Sequence, residues 1–275
     1  MKLRTVRELT VLLFVTALAA SDAIADPKPG SLYHSPLKNF DITVPKFNGK
    51  TEVKEQHDEI HGWLACVGES GDVSRIGYQR VTPDPSLAAL SADSLARLGR
   101  TAFAGLDSLP RATLVAAVTP LDPSARKALA EQIARSGTGG TFTAPAGGAW
   151  SDSDFVAAAA LHLTALLNAQ EMLTARYQPR VVSREAILRD GTLMALAISV
   201  TPSESGAMNM TTGKPIDAVY AHLVFIRNGF LYILAARPND FAAGIAMGEG
   251  GRLEDELGPR ARKHVFELYQ QMTFR

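Results

Sequence analysis

Two histidines and a glutamate lie close together in the segment His57-Asp58-Glu59-Ile60-His61. Imidazole nitrogens and carboxylate oxygens are common ligands of zinc and other divalent metals, so this cluster is the strongest candidate for chemistry. The order of the familiar zinc helix is absent, because the glutamate stands midway between the histidines. The apolar residues that follow predict a strand, and on one strand His57, Glu59 and His61 share a face. Two interpretations stay open: a three-ligand metal patch and a polar strand edge that faces solvent.

Motifs for nucleophilic catalysis and for phosphate binding are absent from the sequence. A serine hydrolase needs an exposed nucleophile, a base and an oxyanion hole, and the chain has no Gly-x-Ser-x-Gly segment. Gly68-Glu69-Ser70-Gly71 comes nearest and is typical of a hairpin turn. The glycine clusters at 137–140 and 248–251 lack the lysine and the strand-turn-helix context of a phosphate loop. We therefore predict no catalytic residue and no cofactor, and the pattern favours a protein without enzyme activity.

Cys66 is the only cysteine in the chain, and it lies in the apolar run Trp63-Leu64-Ala65-Cys66-Val67. A single cysteine excludes a disulfide scaffold and a cysteine-based zinc cage. The apolar run favours a small buried side chain. The alternative is a reactive thiol or an intermolecular disulfide, although the sequence shows no basic neighbour that would activate the thiol.

The charges of the chain balance, with 28 lysines and arginines against 28 aspartates and glutamates. This balance excludes a general attraction to the phosphate backbone of nucleic acids, so no nucleic-acid partner is expected. Apolar residues make up 46% of the chain and charged residues 20%. Such a composition is typical of a folded domain and excludes a disordered tail.

The first residues have the layout of a secretory signal peptide. Three basic residues precede an apolar run from Leu9 to Ala20, and Ala23-Ile24-Ala25 supplies the small residues that a signal peptidase recognises. The apolar run is shorter than the roughly 20 residues of a membrane-spanning helix. We predict a signal peptide over residues 1–25, no transmembrane span after its cleavage, and a periplasmic or secreted location.

Strand patterns flank an alanine-rich middle section. Asp190-Gly191 and Asn228-Gly229 each separate two β-rich runs and predict tight hairpins. Between Thr82 and Gln178 the chain holds 23 alanines, and alanine is the strongest helix former. A last helix is predicted to start at Pro259. The pattern predicts an α+β fold, with an antiparallel sheet of β-hairpins, an inserted Ala-rich helical segment at about 82–178 and a C-terminal helix.

The strand blocks allow two domain arrangements. In the first, residues 26–275 form a single α+β domain and the two strand blocks share one sheet. In the second, the chain divides into two domains near residues 82 and 179. The first strand block holds only about three strands and would make a thin core alone. We therefore expect the single domain.

The last part of the chain resembles a known family. A strand, a tight turn and a second strand run from Val219 to Leu234, and a terminal helix and the ending Gln271-Met272-Thr273-Phe274 follow. The segment from Ser35 to Pro45 adds a short leading strand. Together these resemble the Mog1/PsbP-like α/β/α sandwich, a family that includes small bacterial envelope proteins. The resemblance covers about half of the mature chain and implies a non-catalytic role in protein binding or assembly, with no functional residue carried over.

Two functions are therefore expected. The first is an exported soluble protein that binds another protein of the bacterial envelope or helps to assemble it, without catalysis. The alternative is a metal-dependent enzyme or a small-ligand-binding protein that uses His57, Glu59 and His61.

Overall fold

The computed structural model describes residues 27–82, 90–135, 151–202, 217–239 and 253–275. The signal peptide predicted at residues 1–25 and the glycine clusters at 137–140 and 248–251 lie outside these ranges. The described strands are β1 Leu32–His34, β2 Phe40–Thr43, β3 Thr51–His57, β4 His61–Gly68, β5 Val73–Arg80, β6 Arg180–Arg189, β7 Thr192–Pro202, β8 Asp217–Arg227, β9 Phe230–Arg237 and β10 Met272–Phe274. The described α-helices are α1 Ala92–Gly105, α2 Ser108–Val118, α3 Pro123–Arg135, α4 Asp152–Thr174 and α5 Leu253–Gln270.

The strands form two antiparallel sheets. Seven strands pair in the order β3-β4-β5-β9-β8-β7-β6, and three short strands pair in the order β1-β2-β10. Because β5 pairs with β9, the strand blocks on either side of the helical section join in one sheet. The predicted α+β fold class is confirmed, with antiparallel hairpins, helices inserted between the strand blocks and a C-terminal helix.

The seven-stranded sheet is buried on both faces at β7 and β8. One face packs against α5 and the three-stranded sheet, and Phe40, Tyr232 and Leu257 are wholly buried there. The opposite face packs against helices of the Ala-rich section, through contacts that include Leu163 and Val224. Burial on both faces explains why β8 is a nearly continuous apolar run rather than an alternating one.

The two hairpins predicted from dipeptides are confirmed. Asp190 and Asn228 both have φ of 50°, and the following Gly191 and Gly229 have φ of 69° and 78°. Two successive residues with positive φ make the turn that matches the right-handed twist of the flanking strands. Local turn chemistry therefore determines the β6-β7 and β8-β9 pairings.

The single strand predicted to run on from His57 is wrong. β3 ends at His57, β4 begins at His61, and residues 58–60 lie between the two strands. Oδ1 of Asp58 accepts hydrogen bonds from the backbone N–H groups of Ile60 at 2.8 Å and His61 at 2.9 Å. An aspartate that caps its own turn in this way favours a chain reversal over an extended strand.

The final helix begins at Leu253, six residues before the predicted start at Pro259. Glu254, Asp255 and Glu256 occupy its first turn, where carboxylates interact favourably with the positive end of the helix dipole. Pro259 lies inside the helix, next to the buried Gly258. Packing against the sheet outweighs the loss of one helical hydrogen bond at the proline. None of the helices in the described ranges is long and apolar enough to cross a membrane.

Candidate functional site

The three candidate metal ligands do not converge. His57 closes β3, His61 opens β4, and Glu59 is exposed between them. Nδ1 of His57 lies 3.4 Å from Oε1 of Glu55, and Nδ1 of His61 lies 2.7 Å from Oδ2 of Asp58. Each imidazole thus meets a different carboxylate. Among the residues that the structure describes, no group of three or more His, Cys, Asp or Glu side chains is placed to hold a metal ion.

Glu55, which the sequence did not single out, is the carboxylate that meets His57. Its side chain is only 7% exposed, and its Oε1 accepts a hydrogen bond from the hydroxyl of Tyr33 at 2.8 Å. Burial, with Tyr78 and Glu55 close by, raises the pKa of Tyr33, so the phenol remains a donor at neutral pH. The arrangement ties β1 of the small sheet to β3, the edge of the large one. We call Tyr33, Glu55, His57 and Tyr78 the seam cluster.

Gly62 leaves the space that Tyr78 fills in the seam cluster. A Cβ at position 62 would lie 2.5 Å from Cζ of Tyr78 and 2.9 Å from Cβ of His57. Burial raises the pKa of Tyr78 to about 12. The seam cluster is therefore a neutral phenol pair beside one buried carboxylate, and its packing depends on a glycine.

Substituting Gly62→Ala is expected to lower the free energy of unfolding by about 2 kcal/mol, because the ring of Tyr78 is enclosed and cannot move aside without strain. Gly77→Ala is the matched control on the neighbouring strand, where an added Cβ meets ordinary contacts of 3.7 and 3.9 Å. Urea unfolding of both variants measures the difference. Equal stabilities would show that the seam cluster is loosely packed.

Two other histidines, His162 of α4 and His222 of β8, are buried. Nδ1 of His222 lies 3.5 Å from Oγ of Ser199, and the ring stacks on Tyr220 with centroids 5.8 Å apart. A serine beside a histidine also occurs in the catalytic triad of serine hydrolases, where the histidine acts as the base. Burial, with Arg75 adding to the effect, lowers the pKa of His222 to about 4, and such an imidazole is a weak base at neutral pH. The geometry favours a structural role for the pair.

Cys66 lies in the core with 1% of its surface exposed. Burial raises the pKa of its thiol to about 12, so the thiolate that reacts is scarce at neutral pH. The prediction of a small buried side chain is confirmed.

The thiol of Cys66 is expected to resist an aromatic disulfide reagent at pH 8 in the native protein and to react fully in denaturant. Absorbance of the released thiolate measures both reactions on the same sample. Reaction within seconds in the native protein would contradict the burial of this side chain.

A cleft of about 260 Å³ opens between the start of α2 and the edge strand β6. Leu109 from the helix and Val182 from the strand line it, and these large aliphatic side chains are 43% and 40% exposed. The pairing of β6 with β7 shifts register between Val181 and Ser183, so Val182 is the extra residue of a β-bulge. Bulges at sheet edges redirect side chains and interrupt pairing. We call this site the edge cleft.

Helix α2 covers only part of the outer edge of β6. Oγ1 of Thr113 accepts the backbone N–H of Ala186 at 2.8 Å, so that N–H points away from β7. Inward and outward groups alternate along an antiparallel strand, so the backbone N–H and C=O of Arg184 also point outward. Arg184 lines the edge cleft. Within the described part of the chain these main-chain groups have no partner, so the cleft presents both open main-chain groups and exposed aliphatic side chains.

Comparisons with known proteins add a structural neighbour. No family model matches the chain, and no curated protein matches its sequence. Among solved structures, the solution structure of cyanobacterial PsbP (CyanoP) from Synechocystis sp. PCC 6803 is similar to this chain, with 7% identity and a TM-score of 0.40. The match covers 94% of this chain and 99% of that one. The neighbour belongs to the family that the sequence resembles, and at this identity and TM-score the likeness carries no argument about function.

Proposed function

We propose that the protein is exported and binds another protein of the bacterial envelope, without catalysis. The observation that carries this proposal is the edge cleft, where a stretch of sheet edge that the other described residues leave uncovered lies beside the exposed side chains of Leu109 and Val182. Exposed apolar side chains beside open main-chain groups are features of protein-binding surfaces.

The opposite edge of the sheet serves as an internal comparison. On β3, Glu52 and Lys54 are 59% and 62% exposed at the side chain and form an ion pair at 2.9 Å. Charged side chains on an edge strand discourage pairing with another chain. At the edge cleft the large exposed side chains are instead the aliphatic Leu109 and Val182, and this difference supports β6 as the binding edge.

A photoreactive amino acid in place of Val182 tests the proposal in the bacterium that makes the protein. We expect irradiation to yield an adduct with another envelope protein, identified by mass spectrometry. The same amino acid in place of Glu52 is the control and is expected to give no such adduct. Adducts of equal yield at both positions, or none at position 182, would overturn the proposed binding edge.

Export is supported by the basic residues, the apolar run and Ala23-Ile24-Ala25 at the start of the sequence. Fractionation of the same cells, followed by N-terminal sequencing, tests it. We expect the protein in the periplasmic or culture fraction, beginning at Asp26. A cytoplasmic protein that retains residues 1–25 would contradict export.

A further inference from the structure

We propose that the edge cleft binds an extended segment of the partner as an added strand beside β6, with an apolar side chain between Leu109 and Val182 and a carboxylate at Arg184. The inference rests on the proposed function and names the chemistry of the partner segment. It is carried by three features of the cleft: its open backbone, its aliphatic walls and its charge.

The main chain of β6 sets the mode of binding. Oγ1 of Thr113 accepts a hydrogen bond from the outward N–H of Ala186. The backbone N–H and C=O of Arg184 point to the same side of the strand, where Arg184 lines the cleft. The open stretch covers residues 181–184, which spans about 13 Å at roughly 3.3 Å per residue. An extended peptide can pair along that stretch, and its alternate side chains then point into the cleft. So short a ladder also needs side-chain contacts to hold the guest.

The charges of the edge cleft indicate the chemistry of the partner segment. Arg180 is matched by Glu254, with Nη2 and Oε1 2.9 Å apart. Among the described residues, Arg184 is poorly matched: the nearest carboxylate oxygen, on the exposed Glu171, lies 3.8 Å away, and the buried Nε has no hydrogen-bond partner there. A guest carboxylate would satisfy this guanidinium through charge-assisted hydrogen bonds. Asp107 also lines the cleft and would repel a carboxylate placed near it. The favoured place for that carboxylate is therefore beside Arg184.

Fluorescence anisotropy with synthetic peptides tests the inference on the purified protein. The probe is a labelled peptide of alternating valine and threonine that ends in glutamate, and its counterpart ends in lysine. We expect the glutamate peptide to bind about tenfold more tightly, and Arg184→Glu to reverse the preference. A peptide with N-methylated backbone amides is expected to lose binding, because it cannot pair with β6.

Two further variants keep the result interpretable. Leu109→Asn changes an exposed helix residue and is expected to weaken both peptides about equally, whereas Lys54→Glu on the β3 edge is the control that leaves binding unchanged. Equal binding of the two peptides, or a preference that survives Arg184→Glu, would overturn the inference. If adducts still form at position 182 while the peptides fail, the partner chemistry is wrong and the proposed function stands. If both fail, both are overturned.

Discussion

Acidification from pH 7 to pH 4 is expected to lower the free energy of unfolding by about 6 kcal/mol through His162 and His222. Burial lowers the pKa of each imidazole to about 4, and Arg75 adds to the effect at His222. Histidines of an unfolded chain titrate near 6.5. Between these values the unfolded state binds protons that the native state does not, so stability falls as the pH falls. The loss begins near pH 6.5, is complete below pH 4, and amounts to about 3 kcal/mol for each histidine.

Urea unfolding at a series of pH values between 7 and 4 measures this loss. Replacing either histidine by glutamine, which does not titrate, is expected to remove about half of the slope of stability against pH. The double variant His162→Gln/His222→Gln should be nearly flat between pH 7 and pH 5, above the range in which carboxylates titrate. A double variant with the slope of the natural sequence would show that other groups cause the acid sensitivity.

Substituting Gly99→Ala is expected to destabilise the protein by about 3 kcal/mol, although alanine is the better helix former by about 1 kcal/mol. Gly99 of α1 packs against α4 so closely that an added Cβ would lie 2.5 Å from the backbone oxygen of Ala157 and 2.7 Å from its carbonyl carbon. Backbone atoms within a helix cannot turn aside as a side chain does, so the two helices would have to separate. The shift of the urea midpoint measures the effect.

Gly105→Ala is the matched control for this substitution. Gly105 ends the same helix, and a Cβ added there meets nothing within 4 Å. The control is expected to be as stable as the natural sequence or slightly more stable, following helix propensity alone. If Gly99→Ala behaved in the same way, the close approach of α1 to α4 would be disproved.

The parts of the fold that the sequence predicted correctly are those with local causes. Asn228-Gly229 and Asp190-Gly191 contain their own turn chemistry, and both hairpins formed as predicted. The segment from Thr51 to His57 gave no such signal, because only Val53 among its residues is buried and the rest are polar or charged. Pairing with β4 makes it a strand, and that pairing places the turn at Asp58 inside the predicted metal cluster.

The site residues were harder to predict because their partners are far away in the chain. His57 and Glu59 share a sequence motif, yet His57 meets Glu55, whose carboxylate is held by Tyr33 from another sheet. The edge cleft depends on α2 docking beside β6, through the contact between Thr113 and Ala186. Neither residue carries a pattern that reveals the other. Sequence spacing can indicate residues on one element, whereas these contacts are set by tertiary packing.

The central position of β9 has a consequence for the order of folding. Val73 of β5 pairs with Arg237 of β9, so the first strand block finds its neighbour only after the helical section and the second block have been made. Closing so long a loop costs conformational entropy before the native contacts form that compensate for it. Sheets built on distant pairings therefore fold slowly. Until β9 arrives, β5 has an unpaired edge on its inner side. A newly made chain therefore remains for a time without its main core, and during that time it is open to chaperones and to aggregation.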